Sequence, residues 1–218
     1  MSLTATQKIT LDLLIKSSAS KGFYLAGGTA LYLKYHHRIS EDFDFFTYPD
    51  VDFSIVQLQK KIEGIPAKIE HLLSDEDTLI VLINNIRFSF FSYKYSLLKP
   101  TIKIADIPID IASDEDIACM KVVAIAQRGS KKDFYDLWFL MKRHNWSLKY
   151  VLELAKTKYQ NLSIGVILKS IIYFKDAEKE SYEDIDKNWS EIKEFFVGKE
   201  KLFVRENLKN RVKEERDV

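Results

Sequence analysis

The spacing of apolar residues changes character near residue 113. Before it, short stretches that alternate every second residue are interleaved with helical ones; after it, the helical spacing of three to four residues takes over. Residues 4–18 place Ile9 and Leu13 at helical spacing, and Phe23-Tyr24-Leu25-Ala26 reads as a short buried strand closed by Gly27-Gly28. A second helix is predicted to open with Thr29 as its cap and to carry Leu31, Tyr32 and Tyr35 to about His36. Residues 40–46 alternate at the strand period. Val51, Ile55, Leu58 and Ile62 predict a helix over 51–63. The stretches 68–73, 78–83 and 86–93 are aromatic and β-branched strand candidates, with Asn84-Asn85 suited to a tight hairpin between the last two.

From Ser113 the pattern is helical throughout. Ser113-Asp114-Glu115-Asp116 has the form of a capping box, opening a helix with Ile117, Met120 and Ala124 on one face and Gly129 at its end. Ser130-Lys131-Lys132-Asp133 has the same form, ahead of Phe134, Leu137 and Met141 at core spacing. Further helices are expected over 147–159, 162–176 and 187–208. The fold class expected is therefore α/β (α+β). A mixed-sheet core with helices occupies residues 1–112, and an α-helical carboxy-terminal region occupies 113–218.

Composition narrows the classes without choosing a function. The 218 residues are 46% apolar, 30% charged and 13% aromatic, which excludes disorder, a collagen-like chain and a disulfide-stapled miniprotein. Thirty-three Lys and Arg against 32 Asp and Glu give a net charge of +1, so any site for a polyanion is local. Cys119 is the sole cysteine and has no partner for an internal disulfide. Apolar windows such as 166–172 are far shorter than the roughly 18 apolar residues of a membrane span. No secretory leader pattern opens the chain. These features predict a cytoplasmic, reducing location and no membrane partner.

The most informative stretch is Gly27-Gly28-Thr29, followed thirteen residues later by Asp42-Phe43-Asp44. Two glycines between a strand and a helix let backbone N–H groups approach a phosphate at the positive end of the helix dipole. On a strand, Asp42 and Asp44 project from one face, roughly 7 Å apart at the Cα level, with Phe43 and Phe45 turned to the core. Paired carboxylates beside an anion cradle suit Mg2+, an oxygen-seeking ion that keeps positions for water and substrate phosphates. Each motif alone has an ordinary explanation, a turn or the wet face of an edge strand. Their order along the chain is what points to a metal and nucleotide site.

These residues resemble the nucleotidyltransferase superfamily, and within it the AbiEii/AbiGii toxin group. The superfamily pattern of Gly-Gly, helix and Asp-x-Asp is matched by Gly27-Gly28-Thr29-Ala30-Leu31 and by Arg38-Ile39-Ser40-Glu41-Asp42-Phe43-Asp44. The toxin group's second pattern is matched by Met120-Lys121-Val122-Val123-Ala124 and by Arg128-Gly129-Ser130-Lys131-Lys132-Asp133-Phe134-Tyr135-Asp136-Leu137. The resemblance implies a nucleotidyltransferase-like fold that moves a nucleoside monophosphate from an NTP, with Mg2+, to an acceptor hydroxyl on tRNA. It further implies action as the toxin of a toxin–antitoxin pair, with a cognate antitoxin as partner. It implies Asp42, Asp44, Lys121 and Asp133 as catalytic residues, the two former holding metal. Gly27, Gly28, Thr29, Lys121 and Arg128 are the implied nucleotide-binding set. Lys121 and Arg128, seven apart on a helix, share a face about 10 Å apart along the axis and can meet different parts of a triphosphate. Asp133 either orients Lys121, accepts a proton, or completes the capping box with Ser130; Asp136 either shares its helix face or pairs with Lys132.

One departure stands out. Many active relatives add a third carboxylate from a neighbouring strand, where this chain offers Ser89 and Phe91; Asp110 and Glu70 are the remaining candidates. That gap keeps a catalytically silent RNA- or partner-binding module as an alternative, beside a small-molecule nucleotidyltransferase of the antibiotic type. His36 and His37, with Arg38, are read as positive groups at a helix end, and Cys119 as a small core residue. Residues 131–160 hold seven Lys and Arg against three acids, interleaved with Tyr135, Trp138, Trp146, Tyr150 and Tyr159. That surface is a candidate for binding an RNA backbone and stacking its bases.

Overall fold

The computed structural model describes residues 3–105 and 107–214, with side chains up to residue 207. The chain divides into two compact units, Met1–Ile117 and Ala118–Val218, the division falling inside one helix. In chain order the first unit contains α1 (Ala5–Lys16), β1 (Phe23–Ala26), α2 (Gly27–Tyr35), β2 (Phe43–Thr47), α3 (Ile55–Glu63), β3 (Ile69–Asp75), β4 (Thr78–Ile83), β5 (Ile86–Phe91), β6 (Ile102–Ile104) and β7 (Ile107–Ile111). Then come α4 (Asp114–Gln127), α5 (Lys131–Arg143), α6 (Leu148–Lys158), α7 (Ile164–Ile171), a 3-10 turn at Ala177–Lys179, α8 (Glu183–Asp186) and α9 (Trp189–Glu214). Among the described residues no helix is long and apolar enough to cross a membrane.

The strands form one mixed sheet in the order β3-β4-β5-β2-β1-β7-β6. β1 pairs antiparallel with β2 and parallel with β7, while β2 runs parallel to β5. Aromatic residues fix the central register. Phe43 stacks on Phe88 at 4.9 Å, Phe45 on Phe90 at 5.3 Å and Phe46 on Phe91 at 5.0 Å, each pair directly opposite across β2 and β5. Phe43, Phe45, Phe88 and Phe90 are fully buried. Burial of such a ring is worth about 1.5–3 kcal/mol, and a slip of one residue would turn every ring to the other face. Asn84 and Asn85 both take positive φ, 52° and 63°, as the predicted two-residue hairpin requires.

Three local expectations are corrected. Helix α2 begins at Gly27, with Ala26 in the capping position, so Thr29 is inside the first turn and does not cap it. Helix α3 starts at Ile55 because the Ser54 hydroxyl accepts the backbone N–H of Gln57. Strands β6 and β7 were not anticipated. Both are short, and Pro100 and Pro108 interrupt the stretch, yet Ile-Pro-Ile-Asp-Ile does alternate at the strand period.

In the second unit, ring packing builds the core: Phe134 on α5 meets Phe174, Trp189 and Phe196 at 5.3, 5.9 and 5.7 Å. Ser147 and Ser163 cap α6 and α7 by accepting N–H groups from Tyr150 and Val166. The capping box predicted at Ser130 does not form. Its hydroxyl donates to Glu180, which also accepts the Lys131 backbone N–H, and Asp133 is engaged elsewhere. The hydroxyl arm of the box at Ser113 is made. Ser113 accepts the Asp116 N–H at 3.0 Å, and the Asp116 carboxylate takes the Ser113 hydroxyl at 2.7 Å together with the backbone N–H groups of Leu98 and Lys99.

Candidate active site

In the first unit, the turn from β1 into α2 and the start of β2 are brought together by strand pairing. Ala26, the last residue of β1, lies directly opposite Asp44. Asp44 is half-buried on the face of β2 away from Phe43 and Phe45, and Asp42, just before the strand, is exposed. Gly27 has φ +72°, and a Cβ there would come within 3.0 Å of Asp44 Oδ2. The carboxylate therefore rests against the bare backbone that opens α2, where the first N–H groups of a helix lack intrahelical acceptors.

Gly28 is needed for a different reason. A Cβ on it would collide with the Arg38 guanidinium and stand 3.0 Å from Ser40 Oγ. Arg38 is buried, 6% exposed, and its Nη1 donates to the Ile39 carbonyl. A cation is thus packed onto the glycine turn, a role that reading Arg38 as a helix-end charge missed. The signal was its place four residues before Asp42 in a segment too short to stray from that turn. Thr29 is buried as well. Its hydroxyl is hydrogen-bonded to Ser40 Oγ at 2.8 Å and to the Asp42 carbonyl, so it ties residues 40–42 to α2.

The neighbouring strand carries no third acid. Ser89, 2% exposed, is the residue on β5 directly opposite Asp44. Asp110 lies on β7, two strands from β2 and roughly 10 Å away by strand spacing, where the Tyr48 hydroxyl donates to it at 2.8 Å. Glu70 lies on β3, three strands away. Neither is carried to Asp44, and among the described residues no group of three or more His, Cys, Asp or Glu could hold a metal.

The second unit holds a sealed charge cluster. Lys121 Nζ on α4 donates to Asp133 Oδ1 at 2.8 Å and forms an ion pair with Asp136 Oδ2 at 2.7 Å, both acids being on α5 and fully buried. Arg128 approaches Asp133 as a fork, Nε to Oδ2 at 2.7 Å and Nη2 to Oδ1 at 2.9 Å, although its side chain is 66% exposed. Burial alone would push the Asp133 carboxyl up. The Lys121 charge and the Arg128 hydrogen bonds and charge outweigh it and hold the group below the usual carboxylate range. Asp136 pairs with Lys121, not with Lys132, and Asp133 completes no capping box.

The basic stretch that follows is largely spent inside its own unit. Tyr135, Trp138 and Tyr159 are buried. Lys131 is buried in an ion pair with Asp186 at 2.7 Å, and Lys142 meets Glu191 at 2.5 Å. Of the five aromatics proposed for base stacking, only Trp146 and Tyr150 reach the surface, with His144 stacked on Trp146 at 4.5 Å. Cys119 is a buried free thiol, as expected of a core residue.

A sequence profile of the family described as "Nucleotidyl transferase AbiEii toxin, Type IV TA system" matches residues 10–114 and 95–212. The chain belongs to the AbiEii nucleotidyltransferase toxin family. An uncharacterized protein of Aquifex aeolicus (strain VF5) is 49% identical over 208 residues, which cover 95% of this chain and 98% of that one. Among solved structures, JHP933 of Helicobacter pylori aligns over 98% of this chain and all of its own at a TM-score of 0.53 and 18% identity. ANT(2")-Ia, solved with adenylyl-2"-tobramycin, aligns over 73% of this chain and all of its own at a TM-score of 0.53 and 12% identity. At those identities the two structures speak to fold alone, and both place the mixed sheet and its helices among nucleotidyltransferase-like folds. Membership of the AbiEii family makes this chain a transferase of the nucleotidyltransferase class.

Proposed function

We propose that the protein transfers a nucleoside monophosphate from an NTP to a hydroxyl of tRNA, as the toxin of a toxin–antitoxin pair with a cognate antitoxin as its partner. The observation that carries this reading is the Asp44 carboxylate resting against Gly27 at the opening of α2. It joins an acid to an anion-binding backbone, the combination a metal–triphosphate needs. The fit to Mg2+ is adequate with two protein carboxylates, because that ion commonly takes one or two and completes its shell with water and substrate phosphates. Asp42 and Asp44 would hold it, and when bound it supplies charge neutralisation for the triphosphate.

The protein's own groups supply the rest. The backbone N–H groups of Gly27, Gly28 and Thr29 bind phosphate oxygens, with the buried Arg38 charge behind them. Of the two cations assigned to the triphosphate, Arg128 is exposed enough to meet a phosphate, whereas Lys121 is sealed against Asp133 and Asp136 and steadies that cluster. Asp133 holds both cations in fixed orientation. Its lowered pKa makes it a weak base, which favours that positioning role over proton abstraction. In the reaction, the acceptor oxygen forms a bond to the α-phosphorus as the bond to pyrophosphate breaks, and the hydroxyl proton leaves to solvent or to an exposed carboxylate.

The test is incubation with each labelled NTP, Mg2+ and total tRNA. Label from at least one NTP is expected to enter tRNA, and Asp42→Ala is expected to reduce that incorporation by a factor on the order of 1,000 without altering the melting temperature. Incorporation by Asp42→Ala at the wild-type rate, or label entering no RNA from any NTP, would refute the reading.

A further inference from the structure

The sealed cluster of the second unit has an open side. Arg128, locked by Asp133, forms part of the wall of a surface cavity of about 290 Å3, lined also by Gln127, Lys169, Ser170, Tyr173 and Asp176. That volume is near the lower end for small-ligand sites, ~300 Å3. Its chemistry is mixed in a particular way. Lys169 at the end of α7 is exposed, and Tyr173 is 52% exposed where it lines the cavity. Asp176, the one acid of the lining, is paired with Lys179 at 2.7 Å. Two cations, one of them held rigid by a buried carboxylate, therefore share a pocket with an unburied aromatic face.

We propose that this cavity is a nucleotide subsite, in which Arg128 and Lys169 hold a phosphate while the base stacks on Tyr173. A guanidinium fixed through Nε and Nη2 recognises phosphate oxygens at low entropic cost, because its orientation is settled before the ligand arrives. A ring that is half exposed in a cavity gives a base a flat apolar surface and is tolerant of which base it meets. The inference deepens the transfer reading and rests on it for the purpose of the site: the nucleotide belongs either to the donor NTP or to the end of the acceptor RNA. Both present the same phosphate-plus-base chemistry.

The test is calorimetric binding of two probes, an NTP with Mg2+ and a short single-stranded oligoribonucleotide, to the wild type and to Tyr173→Ala, Lys169→Glu and Lys175→Glu. Lys175 is exposed and outside the cavity. Tyr173→Ala is expected to weaken one probe about tenfold, the loss of one stacked base. Lys169→Glu is expected to weaken the same probe and to flatten its salt dependence. Lys175→Glu is expected to bind as the wild type does. The probe affected identifies the ligand, NTP for a donor subsite and RNA for an acceptor subsite. Affinities of Tyr173→Ala and Lys169→Glu equal to that of Lys175→Glu for both probes would overturn the proposal, as would wild-type binding of neither. A wild type that transfers no nucleotide yet loses probe affinity on Tyr173→Ala would sink the transfer reading and leave the subsite standing.

Discussion

The protein holds two pairs of aspartates in opposite circumstances. Asp42 and Asp44, at the start of the central strand β2 in the first unit, face outward: one is exposed and the other is half-buried beside a glycine turn. Asp133 and Asp136, one helical turn apart in the second unit, are fully buried, and the chain itself supplies their countercharges, Lys121 at 2.7–2.8 Å from both and Arg128 on one. The same side chain thus does two jobs. A pair that opens toward solvent is suited to recruit a cation from solution together with its ligand. An inward pair that is already neutralised is suited to hold cations still. Removing a member should therefore cost activity in the first pair, and both activity and fold in the second.

The largest effect expected is on the sealed pair. Lys121→Ala leaves the Asp136 carboxylate and part of Asp133 without their buried countercharge, and breaking a buried pair from one side costs about 3–5 kcal/mol. Asp42→Ala, at an exposed position, should stay within about 0.5 kcal/mol of the wild type. Urea unfolding of the two variants checks the contrast through the midpoint at constant slope. A Lys121→Ala protein as stable as Asp42→Ala would show that the inward pair is not sealed and that the two regions do not differ as described.

Next in size is the glycine that makes the outward pair possible. Gly27→Ala forces a side chain into φ +72° and sets its Cβ 3.0 Å from Asp44 Oδ2. The backbone term alone is of order 1–3 kcal/mol. Displacement of the carboxylate should in addition lower nucleotide transfer at least tenfold, more than the stability loss explains. Transfer that falls only in proportion to the folded fraction would separate Asp44 from the turn.

The legibility of these features in the sequence follows how local they are. The β1–α2 segment, the hairpin at Asn84-Asn85 and the alternation in β2 rest on neighbours in the chain; the hairpin is where the pattern predicts, whereas α2 opens at Gly27 rather than with Thr29 as cap and β2 starts at Phe43, leaving Asp42 just before the strand. What escaped depends on distant partners. β7 is short and interrupted by proline, and it becomes a strand by pairing with β1. Ser130 and Asp133 have the spacing of a capping box, but burial and the two cations of α4 and its end claim Asp133, and Glu180 claims Ser130. Arg38 looked like a helix-end charge because its packing on Gly28 is a contact ten residues back along the chain, signalled only by the shortness of the segment that leads to Asp42. The basic stretch after residue 131 looked like a surface for an RNA backbone because its countercharges arrive some fifty residues later, from Asp186 and Glu191.

That last pair offers the smallest and sharpest comparison. Lys142 and Glu191 stand 2.5 Å apart, closer than Lys121 and Asp136 at 2.7 Å, so a ranking by distance makes them the stronger pair. Their side chains are 47% and 54% exposed, against 7% and 0% for the sealed pair. Water screens the open pair and the two long side chains give up rotamer freedom to meet, so Lys142→Ala should cost about 0.2–1 kcal/mol, most of it abolished by added salt. A cycle combining it with Glu191→Ala isolates the coupling from the loss of Lys142's contact over the Trp138 ring, 4.8 Å from its centroid. A coupling as large as that of the buried cluster would mean that separation, and not exclusion of water, sets the strength of these ion pairs, and the distinction between the inward and outward aspartates would lose its physical basis.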